Sequence, residues 1–207
     1  MVSVRRVPKQ TRGEQRLTAI LDAAAHVFQD YGYDGATTTL IAQRAHTAIG
    51  SLYDFFPNKE AIARTLVERF IADLQALYAS ILTEELARLP LAEMIDRIID
   101  PFVAYQQAHP GFRALWITSV DDRQLSTQHR ALDARLVDWT TTVMSRRYPQ
   151  YDAATARRLS QVCIRTVQGL IQLANAQQAA GAGGAVIVDL KLMMRAFLEA
   201  AAQRSRA

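Results

Sequence analysis

The sequence predicts an all-α protein of about nine helices, and three observations carry that prediction. Apolar residues recur at three- and four-residue spacing along nearly all of the chain. No stretch sustains the period-two alternation of β-branched and aromatic residues that a half-buried strand needs between hairpin turns. Glycines, prolines and capping side chains interrupt the helical pattern where helices would end.

Taken in order, Leu17, Ile20, Leu21, Ala24 and Phe28 share one face of a first helix that reaches Tyr31 and stops at Gly32, because glycine readily takes the left-handed conformation that closes a helix. Thr37 can cap a short second helix carrying Leu40, Ile41 and Ala45. A third short helix runs through Leu52 to Phe55, and Pro57 ends it. From Asn58, the series Ile62, Leu66, Phe70, Leu74, Leu77 and Ile81 predicts one long helix lasting until Pro90. Leu91 to His109 reads as the next, with Leu91, Ile95, Ile98 and Phe102 inward and a kink at Pro101, where a backbone donor is missing.

His109-Pro110-Gly111 closes that helix, and a shorter one runs from Phe112 to about Val120. The pair Asp121-Asp122 separates it from a long helix bearing Leu125, Leu132, Leu136, Trp139 and Val143, which Pro149 stops. Asp152 can cap the following helix, whose stripe is Leu159, Cys163, Val167, Leu170 and Ala174, before Gly181, Gly183 and Gly184 break it. A last helix from about Asp189 to Gln203 buries Leu190, Met194, Phe197 and Ala201. The short helices come first, which divides the chain near Asn58 and Lys59.

At 207 residues, with 50% hydrophobic and 21% charged residues, the chain has the balance of a soluble globular protein and needs no staple to bury a core. Its one cysteine, Cys163, has no intrachain partner and cannot build a cysteine zinc site, so the cytoplasm is the expected compartment. No apolar run approaches the ~18 residues of a membrane span, and polar residues rather than a leader core follow the basic start. Arg5, Arg6, Lys9, Arg12 and Arg16 against Glu14 carry the whole formal charge of +4, which leaves the rest of the chain neutral. Such an arm suits an anionic partner such as nucleic acid, through counterion release, and equally suits a solvated tail.

The informative stretch runs from Gly32 to Glu60. Two short amphipathic helices joined by a tight turn are what a helix-turn-helix requires, one crossing the phosphate backbone while the other enters the major groove, about 12 Å wide. Between Thr11 and Glu60 the pieces Ile41-Ala42, Gly50-Ser51-Leu52-Tyr53, Phe56 and Lys59-Glu60 resemble the TetR family of transcriptional regulators. An all-helical bundle with Leu52, Tyr53 and Phe56 as plain core is the alternative. Leu52 and Phe56, four apart, do fit a core. Gly50 and Ser51 are poor choices for a helix interior and good ones for close contact with a base edge, sugar or phosphate.

The resemblance implies residues 1–58 as a three-helix DNA-binding domain and 59–207 as a helical domain for ligand binding and dimerisation. It implies phosphate contacts from Thr37 and Thr38 at the start of the second helix, where Thr37 also caps. It implies base reading by Thr47, Ala48, Ile49, Gly50 and Ser51, and phosphate contacts from the Tyr53 hydroxyl and Lys59. The turn departs from the family pattern: His46-Thr47-Ala48 stands where Gly-Val-Ser is usual. A His in a left-handed position costs more than Gly, so either the turn differs or strain is accepted, and Thr47 becomes available to cap the recognition helix.

By the same resemblance the helices from Asp152 to Ala180 and Asp189 to Gln203 pair two copies in a four-helix bundle, with Ala174, Ala176 and Ala200 allowing close approach. The middle helices take a small-molecule effector. Phe102, Tyr105, Phe112, Trp116, Trp139, Met144 and Cys163 are available to line its site, although each also fits ordinary core.

No catalytic set competes with this reading. There is no Gly-rich phosphate loop, no Gly-x-Ser-x-Gly elbow, and no ligand-spaced pair among His26, His46, His109 and His129, so neither a metal nor a cofactor is expected. Glu84-Glu85 and Asp121-Asp122 are adjacent in sequence and do not share a helix face. The function expected is a repressor that binds a palindromic operator as a homodimer and is released by an apolar or aromatic ligand. A helical interaction module, a small-molecule binder without specific DNA binding, and an enzyme in a helical bundle are the alternatives.

Overall fold

The computed structural model describes residues 12–119, 123–178 and 181–204. Arg5, Arg6 and Lys9 of the basic arm, and the Asp121-Asp122 pair, lie outside the described residues.

Among the described residues there are nine α-helices, one short 3-10 helix and no strand. They are α1 (Arg12–Gly35), α2 (Thr38–Arg44), α3 (Ile49–Tyr53), α4 (Lys59–Ile81), α5 (Leu91–Ala108), α6 (Phe112–Ser119), α7 (Arg123–Arg147), α8 (Ala153–Ala176) and α9 (Gly183–Arg204). Gly32 breaks α1 with φ 69°, and Tyr33 to Gly35 form one further turn beyond it. The predicted apolar face is inside: Ile20, Leu21, Ala24 and Phe28 are buried, and Leu17 is half-buried.

Two boundaries differ from the sequence reading by several residues, and α3 ends at Tyr53 rather than at Phe55. The helix α4 ends at Ile81 rather than continuing to Pro90, and the 3-10 helix Glu84–Arg88 follows, burying Leu86 and Ala87. Arg147, at the end of α7, donates to the carbonyls of Ala87 at 3.1 Å and Leu89 at 2.7 Å. The guanidinium thereby satisfies carbonyls of the segment between α4 and α5 and ties it to the end of α7.

The second difference is α9, which begins at Gly183 rather than near Asp189. Of the three glycines there only Gly181 breaks the chain, with φ 73°. Gly183 serves a close approach instead, since a Cβ there would lie 2.4 Å from the Gln178 side-chain oxygen and 2.7 Å from the Ala174 carbonyl.

The chain divides into two compact units. One comprises the described residues up to Arg69 together with His109–Leu125; the other comprises Phe70–Ala108 with Ser126 onward. In the first unit α6 lies on α1, and α1 also holds α2. Gly111 makes the first of these contacts possible: it has φ 73°, and a Cβ would come within 2.5 Å of the Ala25 carbonyl oxygen.

The second unit has its own core of Met94, Ile95, Ile99, Val143, Met144, Cys163, Ile171, Leu190, Met194 and Leu198. The helices α8 and α9 pair, and α9 also meets α5, where Lys191 reaches Asp96 at 2.8 Å and Asp100 at 2.6 Å.

Candidate nucleic-acid interface

The interface is built from short pieces. Thr37 is the N-cap of α2, in extended conformation, and its Oγ1 accepts from the Leu40 amide at 3.2 Å. That leaves its own hydroxyl hydrogen uncommitted. Ile41 and Ala42 turn α2 inward, and Arg44 at its last turn pairs with Asp30 of α1.

The turn that follows solves the problem set by His46. Ala45 is the C-cap; the His46 amide donates to Gln43 O at 3.1 Å and the Thr47 amide to Ala42 O at 3.0 Å, the two bonds of a Schellman closure. That closure needs one left-handed residue, and His46 takes the position with φ 50°. The strain is accepted, at a cost of about 1 kcal/mol against glycine. Thr47 does not cap α3, as its availability had suggested: the N-cap is Ala48, without a side-chain hydrogen bond. The Thr47 amide is spent closing α2, and its side chain is half-buried.

From Ala48 the chain enters α3, with Leu52 N donating to Ala48 O at 3.1 Å. Leu52 is fully buried and Phe56, four residues on, is buried too. The opposite side is open. Ala48, Ile49, Gly50 and Tyr53 are exposed, and Ser51 is half-buried. A Cβ added at Gly50 would meet nothing within 4 Å, so packing inside the protein does not demand glycine there. The Tyr53 hydroxyl lies 3.1 Å from Thr38 Oγ1.

Lys59, the first residue of α4, is half-buried. Its ammonium donates to the Tyr33 carbonyl at 2.8 Å and sits 4.6 Å from the Tyr33 ring centroid. The Asp34 carbonyl is 3.5 Å away. The lysine therefore ties down the turn after Gly32, a task that sequence spacing gave no means of seeing. Asn58 caps α4 through Oδ1, which accepts from Ala61 N at 2.8 Å.

The nine residues expected to touch DNA thus come together on one stretch, from the cap of α2 to the start of α4. Gln43 and His46 are exposed beside the turn.

The seven residues expected around an effector are distributed differently. Met144 and Cys163 are buried in the core of the second unit, and Phe102 packs partly buried against that core. Burial pushes the Cys163 thiol up to about 12, which keeps it unreactive. Tyr105 is half-buried and donates to Asp73 Oδ2 at 3.0 Å; Trp139 is half-buried. Phe112 and Trp116 stack on each other in the first unit, with centroids 4.9 Å apart. A partly buried polar contact, Asn175 Nδ2 to Gln106 Oε1 at 2.7 Å, joins α8 to α5 and was not anticipated. Nor was a cleft of about 210 Å³ between α8 and α9, lined by Tyr151, Arg158, Val162 and Phe197 among others and by none of the seven.

Among the described residues no helix is long and apolar enough to cross a membrane.

Comparison with known proteins places this geometry. Residues 20–66 match the family described as bacterial regulatory proteins, tetR family, and residues 90–198 match the tetracyclin repressor-like C-terminal domain. Over 60 residues the chain is 47% identical to the A-factor receptor protein of Streptomyces griseus, a stretch that is 29% of this chain and 22% of that protein. The matched stretches cover 22% and 48% of the curated relatives, so the likeness to them is partial. A TetR-family transcriptional regulator from Streptomyces coelicolor is 29% identical in sequence, with a TM-score of 0.56 over 89% of this chain and 98% of that one. The transcriptional regulator FadR from Bacillus subtilis, solved with stearoyl-CoA, shares the fold at 16% identity, with a TM-score of 0.57 over 84% of this chain and 96% of that one. With both its helix-turn-helix region and more than half of its length matched, the chain belongs to the TetR family of transcriptional regulators.

Proposed function

We propose that the protein is a cytoplasmic repressor that binds a two-fold symmetric duplex operator as a homodimer and leaves it when a small apolar or aromatic molecule binds. Residues 1–58 serve as the reading domain and 59–207 as the effector and dimerisation domain. The protein acts by binding alone, without a metal or cofactor.

The observation that carries this reading is the open side of α3. A helix with Leu52 and Phe56 inward presents Ala48, Ile49 and Gly50 outward, while hydroxyls on Thr37, Thr38 and Tyr53 stand beside it. Hydroxyls position a protein on phosphates and carry no sequence information; groups at the front of the recognition helix supply it. Thr47 and Ser51 contribute from the flanks of that front, and Lys59, already bonded to Tyr33, has a further donor available for a phosphate.

The dimer is supported by the second unit. Val162 and Leu173 on α8, and Val188, Leu192 and Met193 on α9, are large apolar side chains left exposed on the two C-terminal helices. Such a surface is costly to leave in water and suits an isologous interface. In this reading the effector site draws on Phe102, Tyr105, Trp139, Met144 and Cys163 of the second unit, whereas Phe112 and Trp116 belong to the first. The Gln106–Asn175 contact offers an apolar ligand one polar anchor. The stearoyl-CoA held by the FadR protein of like fold is in keeping with an apolar effector. Binding weakens operator affinity only if the effector favours the conformer that reads DNA poorly.

Selection of bound duplexes from a random pool tests the reading. Recovered sequences should be inverted repeats with half-site centres about one helical turn or a multiple apart, and affinity should fall steeply with salt. A pool that yields no enriched duplex, with binding no stronger than that of a neutral helical protein, would refute it.

A further inference from the structure

The side of α3 that faces water carries an unusual set of groups for a surface meant to read hydrogen bonds. Between Thr47 and Tyr53 the chain has no charged and no amide side chain. What it presents is methyl surface: Ala48 is exposed, and Ile49 is 41% exposed, one of the few large apolar side chains outside the core. Of the neighbouring polar side chains, Tyr53 meets Thr38 and Arg44 pairs with Asp30, while Gln43 and His46 lie exposed beside the preceding turn. Next to Ile49, Gly50 has neither a side chain nor any atom within 4 Å of where one would be, so the backbone can come close to a surface in front of it.

Resting on the reading of α3 as the recognition helix, we infer that Ile49, assisted by Ala48, reads thymine through its C5-methyl group, and that Ile49 is the residue that sets this preference. The thymine methyl is the one apolar feature that a base edge shows in the major groove. Against an isoleucine, the amino group of cytosine or the O6 and N7 of guanine would lose water and gain no partner. Selectivity arises from both effects, contact with the methyl group and exclusion of polar edges that Ile49 cannot satisfy. The exposure of Ile49 is then explained by what it meets in the groove.

The test uses the full-length protein and the duplex it selects from a random pool, resynthesised with deoxyuridine at each thymidine in turn. Uracil differs from thymine only in lacking the methyl. At one position in each half-site the deoxyuridine duplex should bind about fourfold more weakly, the loss expected for one buried methyl group. Ile49→Ala should bind the thymidine and deoxyuridine duplexes alike at that position. If cytosine is placed there, 5-methylcytosine should recover part of the affinity that cytosine loses. Thermal unfolding verifies that Ile49→Ala is folded, which its exposure leads one to expect. Equal binding of thymidine and deoxyuridine duplexes at every position would overturn the inference while leaving the DNA-binding reading intact. A methyl penalty that persists in Ile49→Ala would overturn it as well. Failure to select any duplex would remove the reading itself and the inference with it.

Discussion

The hydroxyls of Thr38 and Tyr53 stand 3.1 Å apart and join the first residue of α2 to the last residue of α3. Each hydroxyl has one hydrogen, so a chain in which Thr38 donates to Tyr53 leaves the tyrosine hydrogen free for a phosphate oxygen. Tyr53→Phe removes both links. Because Tyr53 is 50% exposed, folding stability should change by no more than about 0.5 kcal/mol. Binding to every duplex should weaken by a similar factor, about tenfold for one lost charge-assisted bond. Titration against the selected and scrambled duplexes measures both, and sedimentation should show the dimer intact.

Lys59→Met should lower stability as well as affinity. The substitution keeps an apolar stem but loses the bond to the Tyr33 carbonyl and the contact with the Tyr33 ring. A drop of about 1–2 kcal/mol in denaturant unfolding is expected. If the ammonium also meets a phosphate, the slope of log affinity against log salt should become shallower by about one.

Gly50→Ala separates folding from reading in the opposite sense. No atom lies near enough to clash, so alanine should raise stability by about 0.5–1 kcal/mol through its better helix propensity. Operator affinity should fall, because the added methyl holds the backbone away from the groove. Unfolding and binding measured on the same sample give the two signs.

His46→Gly tests the strain in the turn. The residue sits at φ 50° in the closing position of α2, and glycine should relieve it for a net gain of about 0.5 kcal/mol or less after its own entropic cost. Exposure of the imidazole makes loss of packing a small correction. Thermal unfolding of the two proteins provides the comparison.

At the start of α8, Asp152 Oδ1 accepts from the Thr155 amide at 2.8 Å. That backbone bond, with the Thr155 hydroxyl and nearby Arg158, holds its carboxyl below the ordinary value of 3.8. A group with a lowered folded value contributes stability above the unfolded value and loses it as pH falls through the folded one. Asp152→Asn keeps a capping oxygen that does not titrate. The two proteins should therefore differ in melting temperature by a constant amount at neutral pH, and the wild type should lose ground only in acid below about pH 4. A difference that opens instead between neutral and mildly acidic pH would contradict this assignment.

The helix-turn-helix was legible because its requirements are local. A threonine before an apolar turn, a buried pair at Leu52 and Phe56, and a glycine without packing reasons can each be seen within a few residues. The left-handed residue at His46 was visible as a conflict between the turn and its sequence. What escaped the sequence depends on partners far along the chain. Arg147 holds the segment after α4 by bonding the carbonyls of Ala87 and Leu89, about sixty residues away. Gly183 is glycine because Ala174 and Gln178 crowd it, not because it breaks a helix. Lys59 read as a phosphate contact, and only the fold brings Tyr33 beneath it. Periodicity likewise marks Phe102, Met144 and Cys163 as inward without telling a packed interior from a place that opens for a guest.

The seat of Gly111 against Ala25 affects how the protein is made. The helix α1 leaves the ribosome well before the cover for part of its apolar flank, Phe112 and Leu115, which is about ninety residues behind it. The nascent head stays unfinished until that later stretch emerges. A fragment cut after Arg69 would inherit the exposed flank, tending to aggregate or to recruit the missing helix when supplied in trans.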